Sequence, residues 1–501
     1  MSRKINIDFL NKIQEALSFP ERWKTILFCL TCTCLIYALS APGDNGPTVV
    51  VLCLGASISM CFIALTLYKI EFGFYGMIVF GFLMASLDRM THSALPLYTI
   101  FYLMPFGLFI IIMIRCIFFH DRFNILWHPI TLGFYTIFFY SIFEVFNPEM
   151  HSLLGWVSYF RQALSLLIML FICFYLFRTL KNIRFFFKFL FSAIFITALY
   201  GCIQQWFGFS PWDNSWLHSN PRIIGLYSLP GGSIRKFSFL TDPANYGGLM
   251  ATGAIATLIL AIESNEKKLK VLLGFFTLVI LLGMSYSGTR TANIMIVAGL
   301  TLYIMMTLHQ KKSRIVALVG LMLYLFIMYV PIYGNITINR FRTAFRSPTN
   351  NASYEVRLMN RERIRPYVNA HPFGGGINTA GVTGQQYNPK HYLAGFPPDS
   401  SLVSTMVETG SVGLALQLLF LLLLMAYSVH YYYRCQNKEI KTYYIILTVA
   451  LFALGLVGGY AQFTLTPVPQ VFLYIPFVAI TVKLRTLDTP ATSFPNSHAP
   501  A

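Results

Sequence analysis

The sequence predicts an all-α polytopic membrane protein, and three observations predict it. Hydrophobic residues make up 56% of the 501-residue chain and charged residues only 11%, a balance that does not suit an ordinary soluble domain. Apolar runs close to the length that crosses about 30 Å of hydrocarbon recur along almost the whole sequence. Lysine and arginine then fall in alternate short connections, as in a chain that crosses a membrane repeatedly. Such runs must be helical, because lipid offers the backbone no hydrogen-bond partner.

About fourteen runs are expected to span, at 24–41, 48–68, 72–88, 96–117, 125–145, 156–178, 184–207, 243–263, 269–286, 290–308, 313–333, 402–432, 441–463 and 467–484. Those at 72–88 and 467–484 are short. Residues 1–23 read as a cytoplasmic N-terminal segment without the apolar core and cleavage site of a secretory signal. A membrane bundle follows at 24–333, carrying an outer loop at 209–242, then a large, partly helical loop at 334–401 and the last three helices at 402–484. The tail at 485–501 reads as disordered. With the N-terminus inside, Lys69, Arg122, Lys181, Lys267, Lys311, Lys438 and Arg485 lie in cytoplasmic connections. Insertion and anionic headgroups account for these charges, so much of the net charge of +18 calls for no nucleic-acid partner. None of the nine cysteines falls in the long outer loops, and Cys29-x-x-Cys32 lies inside an apolar run, where packing is its natural role.

The loop at 334–401 breaks the charge alternation. Arg340, Arg342, Arg346, Arg357, Arg361, Arg363 and Arg365 crowd it, with only Glu355 and Glu362 among them, on the side where such residues are normally depleted. Guanidinium suits phosphate because its planar fork gives bidentate, charge-assisted hydrogen bonds and stays protonated. Residues 353–365 favour a helix, which Pro366 is expected to close, and Arg357, Arg361 and Arg365 recur at i, i+4 and i+8, one face. Arg340, Arg342 and Arg346, just past a span, read as interfacial. His371-Pro-Phe-Gly-Gly-Gly376 follows, a turn that lets backbone approach a ligand closely and is a weak phosphate loop on composition alone.

Three other constellations belong to the same side. Pro221-Arg222-x-x-Gly225 and Arg235-Lys236 lead into Thr241-Asp242-Pro243-Ala-Asn245, where Asp242 and Pro243 suit a helix start. Ser285-Tyr-Ser-Gly288-Thr-Arg290 turns between two spans, and an arginine there or at Arg161 needs an anionic partner, a wet cavity or the interface. Pro398-Asp399-Ser400 precedes a span containing Glu408 and Gly410-Ser-Val-Gly413. Asp399 is expected to cap that helix, and Glu408 is a candidate because an intramembrane carboxylate is costly.

Together, the Arg222-x-x-Gly225 segment, the Asp-Pro-x-Asn helix start, the Ser-Gly-Thr-Arg290 turn, the arginine-rich loop helix, the His371 turn and the Asp-Ser-x9-Gly-x-x-Gly helix resemble the bacterial O-antigen ligase and O-antigen polymerase superfamily over roughly 150–470. The resemblance implies a GT-C-like, metal-independent membrane glycosyltransferase without a cofactor, in the bacterial inner membrane with its site at the periplasmic face. It implies a glycan donor carried on undecaprenyl diphosphate and a glycan or lipid A-core acceptor. Pyrophosphate binding then falls to Arg222, Arg290, Arg357, Arg361 and Arg365, with Arg161 as a further candidate. Ligases of the family usually carry His where this chain has Asp399, which tilts the reading towards a polymerase, with a ligase as the alternative.

Transfer from a diphosphate lipid requires the leaving charge to be stabilised and the acceptor hydroxyl to lose its proton. Arginines serve the first need, and the chain has no Asp-x-Asp motif to hold a divalent ion. Candidate bases are Asp399, then Glu408, then His371 or His391, acting opposite the leaving group with inversion. A polyprenyl-glycan flippase or exporter remains open, as does a metal-dependent transferase using Asp44.

Overall fold

The computed structural model describes residues 66–91, 95–118, 127–219, 221–229, 232–332, 334–345, 352–462 and 465–488. The expected spans at 24–41 and 48–68, all but the last residues of the second, lie outside them. The helices in order are α1 Ile70–Met90, α2 Leu97–Phe118, α3 Pro129–Phe143, α4 Leu153–Leu176, α5 Leu180–Trp206, α6 Pro211–His218, α7 Pro221–Tyr227, α8 Pro243–Glu263 and α9 Lys267–Tyr286. They continue with α10 Arg290–Thr307, α11 Lys311–Tyr329, α12 Ile336–Phe345, α13 Ala352–Ala370, α14 Gly381–Tyr387, α15 Ser401–Arg434, α16 Lys438–Leu451 and α17 Val471–Leu487. A π-helical stretch, Phe452–Gly458, carries α16 on to Ala461.

Eleven helices among the described residues are long and apolar enough to cross a membrane: α1 to α5, α8 to α11, α15 and the extended α16. The chain is a multi-pass, all-α membrane protein. The short run expected at 467–484 becomes α17, 17 residues long and almost wholly buried. The described residues form two compact units, one within Met1–Phe80 and Leu103–Phe123, the other within Gly81–Tyr102 and Asn124–Ala501. In the first, Gly73 packs closely against Leu108 and Thr66. The second holds every candidate site residue.

Within that second unit α8 is the hub, packed against α5, α9, α10 and α16. Its sequence explains this position, because small residues let neighbouring backbones come close: Gly253 faces Ile194 of α5, and Gly247 faces Ser287 and Thr289. As expected from Asp242-Pro243, the Asp242 carboxylate caps α8, accepting the N–H groups of Ala244 at 2.8 Å and Asn245 at 2.9 Å.

A buried ion pair anchors the loop ahead of α8. Arg89 donates to Asp213 at 2.7 Å and to the carbonyls of Leu240 at 2.7 Å and Ser238 at 3.1 Å, while Gln204 donates to Asp213 at 3.1 Å. Both ionic side chains are almost fully buried, so removing one strands the other charge. Arg89→Ala should lower stability by about 3–5 kcal/mol, read as a large fall in the thermal midpoint of the detergent-solubilised protein.

Helix α15 is broken in its first third. Gly410 adopts φ 69° and ψ −169°, a conformation open to glycine and strained for other residues. The break frees the carbonyls of Val407 and Glu408, which accept the N–H groups of Gly375 and Gly376 at 2.9 Å each. In return the Pro372 carbonyl accepts from Val412 N–H at 3.4 Å and Ser411 Oγ at 3.3 Å. The glycine turn after His371 therefore approaches a neighbouring helix closely, and the N–H groups of Gly375 and Gly376 are spent there. A Cβ on Gly410 would lie 2.0 Å from the Pro372 carbonyl oxygen, and one on Gly374 would lie 2.5 Å from that of Glu408. Gly410→Ala should cost at least ~1–3 kcal/mol from the dihedral alone, giving a lower thermal midpoint than Gly225→Ala, whose Cβ meets nothing within 4 Å.

Candidate active site

Hydrogen bonds tie together several segments that carry or adjoin candidate residues. Arg235 donates to the Ser287 carbonyl at 2.8 Å and to Thr289 Oγ1 at 2.8 Å, and Thr289 Oγ1 donates to the Pro243 carbonyl at 2.8 Å. The start of α8 accepts further bonds: Gln462 donates to the Ala244 carbonyl at 3.2 Å and Gln470 to that of Asn245 at 2.8 Å. The Gln462 carbonyl accepts from Ser401 Oγ at 3.0 Å, at the start of α15. Two residues before Gln462, Tyr460 binds Arg361: the guanidinium donates to its hydroxyl at 2.7 Å and its carbonyl at 3.3 Å, and lies 4.6 Å from its ring centre. The turn before α10, the starts of α8 and α15 and the loop helix α13 are thus tied together.

Four arginine charges act on one another. Burial, followed by repulsion from Arg340, pushes the Arg235 guanidinium down to about 10, and Arg290 adds to the effect. Arg340 is also lowered, by burial and then by Arg290. Arg357 is in turn close enough to act on Arg290. An anion placed among them would relieve their mutual repulsion. Arg290 is also the first residue of α10, whose N-cap Thr289 makes no side-chain cap, leaving partial positive charge there as well. Arg290 and Arg357 were expected in such a cluster. Arg235 was visible only as a neighbour of the Arg222 motif, and Arg340 read as interfacial.

The other arginines separate in role. Arg342 is buried and donates to the carbonyls of Ile327 at 2.8 Å and Ile332 at 2.9 Å, and to that of Val330. It serves the C-terminal end of α11, where a cation complements the helix dipole, rather than the interface. Arg346 lies outside the described residues, and of Arg222 only the backbone, in α7, is described. Arg161 sits on α4 near Tyr102, its buried Nε without a hydrogen-bond partner among the described residues.

Helix α13 corrects two expectations. Pro366 lies inside it and does not close it. Proline removes one bond to the residue four positions back, here Glu362, which is exposed. Arg357 and Arg361 are half-buried, but Arg365 is exposed, while Ile364 and Val368 turn inward onto Ala380, Leu393 and Val407. At 3.6 residues per turn an i, i+4, i+8 row drifts by about 80°, and the buried stripe follows 357, 361, 364 and 368. The long loop thereby builds a small core shared with α15.

The carboxylates and histidines are also sorted. Ser400, not Asp399, caps α15, its Oγ accepting Val403 N–H at 3.3 Å. Two cap-capable residues stand side by side, and the hydroxyl takes the position. Asp399 is half-buried and has no hydrogen-bond partner among the described residues, so its carboxylate is available. Glu408 accepts the Ala380 N–H at 3.3 Å and lines a cavity of about 240 Å³. Glu144, which sequence reasoning missed, is buried nearby and held by Asn147 at 2.9 Å. His371 donates through Nδ1 to the Tyr367 carbonyl at 2.9 Å and stacks on that ring at 4.1 Å, with Nε2 3.7 Å from Glu149. His391 accepts Leu393 N–H at 3.1 Å, and burial, then His151, pushes its imidazole down. Both histidines flank the glycine turn and help hold it.

Residues 273–418 match the O-antigen ligase family model. The match supports placing this segment in the O-antigen ligase and polymerase superfamily, as the motifs had indicated. It runs from α9 through the Arg290 turn and the arginine-rich loop into α15, so it covers Arg290, Arg340, Arg357, Asp399 and Glu408. No curated protein matches the chain. The O-antigen ligase family comprises membrane glycosyltransferases, and the matched segment carries three of the four interacting arginines, Arg290, Arg340 and Arg357, together with Asp399.

Proposed function

We propose that the protein is an inverting, metal-independent glycosyltransferase that moves glycan from undecaprenyl diphosphate to an acceptor at the periplasmic face of the bacterial inner membrane, acting as a surface polysaccharide polymerase. The convergence of Arg235, Arg290, Arg340 and Arg357 carries this reading, since four interacting guanidinium groups suit a multiply charged diphosphate. In the proposed step Asp399 takes the proton from the acceptor hydroxyl, whose oxygen attacks the anomeric carbon. The bond from that carbon to the diphosphate breaks, and its electron pair leaves on the diphosphate oxygen held by the arginines. Fixed cations aimed at that developing charge stabilise the transition state more than the ground state.

The ligase reading, with lipid A-core as acceptor, is favoured by the family description of residues 273–418, whereas Asp399 in place of the usual histidine favours the polymerase. Deleting the gene and resolving the surface glycan separates them. A polymerase leaves core capped by single repeats, and a ligase leaves free core with accumulated lipid-linked polymer. An unaltered surface glycan and no lipid-linked accumulation would contradict both.

A further inference from the structure

We propose that the cavity beside Glu408 is a subsite for one uncharged pyranose ring of the glycan, a deepening that rests on the glycosyltransferase reading above. The cavity of about 240 Å³ lies among α3, α4, α15 and α17, and Ser401, two residues beyond Asp399, lines it. It is smaller than the ~300–1,000 Å³ of sites for drug-sized ligands, so it suits a single ring rather than an oligosaccharide.

Its lining selects the chemistry of the occupant. Tyr159 and Ser404 bring hydroxyl groups to the cavity that have no hydrogen-bond partner among the described residues. One end of the Gln417 amide is held by Thr405 Oγ1 at 2.6 Å, which leaves its other end free. Glu408 spends part of its capacity on the Ala380 N–H at 3.3 Å, and a carboxylate has room for further donors. Polar groups left unpaired in an interior cost free energy, so the occupant must both donate and accept hydrogen bonds. An isoprenoid tail does neither.

The charge pattern narrows the class further. No lysine, arginine or histidine lines the cavity, so nothing in its wall offsets the charge of a diphosphate or an acidic sugar, and a neutral occupant fits better. Phe134, Phe138 and Tyr474 supply apolar wall. A neutral, polyhydroxylated ring with apolar faces meets all of these conditions.

The test uses the full chain in lipid nanodiscs and two probes: undecaprenyl diphosphate, and undecaprenyl-diphosphate-linked glycan extracted from a strain lacking the gene. Tyr159→Phe removes one hydroxyl and keeps the ring; Gln417→Leu removes the free amide end. Each variant with an unchanged thermal midpoint should bind the sugar-free lipid as the unmodified protein does. Each should bind the glycan-bearing lipid up to about tenfold more weakly, with the double variant weaker again. Unchanged affinity for the glycan-bearing lipid in the double variant overturns the proposal and leaves a cavity for water alone. Equal weakening for both probes overturns it in favour of the isoprenoid chain. If the unmodified protein binds neither probe, the glycosyltransferase reading itself fails and the subsite falls with it.

Discussion

Arg290→Lys lowers glycan transfer by about 10²-fold or more, a magnitude expected when one fixed donor to developing negative charge is lost. The substitution keeps the formal charge, so a site that needed only a cation would tolerate it. The loss follows from geometry, because lysine replaces a planar fork with a point charge on a flexible stem. Arg290 opens α10 directly after the turn that Arg235 holds through the Ser287 carbonyl and Thr289 Oγ1. Its backbone is therefore fixed from the side of Arg235, and only the reach and shape of its side chain change in the variant. Glycan ladders from complemented deletion strains, normalised to protein level, measure the effect. Wild-type ladders would return Arg290 to the role of an interface anchor.

Asp399→Asn should reduce transfer by about 10²- to 10⁴-fold, the range for loss of a general base, while leaving binding of the lipid-linked donor intact. The prediction separates base from cap. Ser400 caps α15, so replacing the Asp399 carboxylate by an amide leaves that helix start in place. A variant of normal abundance that retains activity would remove Asp399 from the mechanism and pass the role to Glu408. The two carboxylates differ in a way that favours Asp399, since the Glu408 carboxylate already receives a backbone N–H from the loop.

Much of this arrangement was legible in the sequence, and the limits have physical causes. Runs of apolar residues announce spans because the length of hydrocarbon is fixed, and Asp242-Pro243 announces a helix start because capping is local. Arg357 stood out because its loop breaks the charge alternation, and Arg290 because an arginine at a span needs an anionic partner, a wet cavity or the interface. Pairings between distant segments left no such signal. Arg89 and Asp213 lie 124 residues apart, and each looks ordinary in its own segment. Gly374 to Gly376 and Gly410 were each visible as glycine motifs, yet their purpose is mutual. The turn supplies donors to the carbonyls that the helix break exposes, and that relation exists only once both are folded. Arg365 illustrates a subtler limit, since a spacing of four residues repeated twice already walks off a helical face.

On the proposed function, this chain transfers glycan from a polyprenyl diphosphate by using arginine charge and a carboxylate base. The most direct measurement incubates the purified full-length protein, in lipid nanodiscs with excess chelator, with undecaprenyl-diphosphate-linked glycan extracted from a strain lacking the gene. Free undecaprenyl diphosphate should form together with a longer lipid-linked glycan of inverted linkage, and neither product should form with Arg290→Lys or Asp399→Asn. Transfer that stops when divalent ions are chelated, or that proceeds unchanged in both variants, would contradict it.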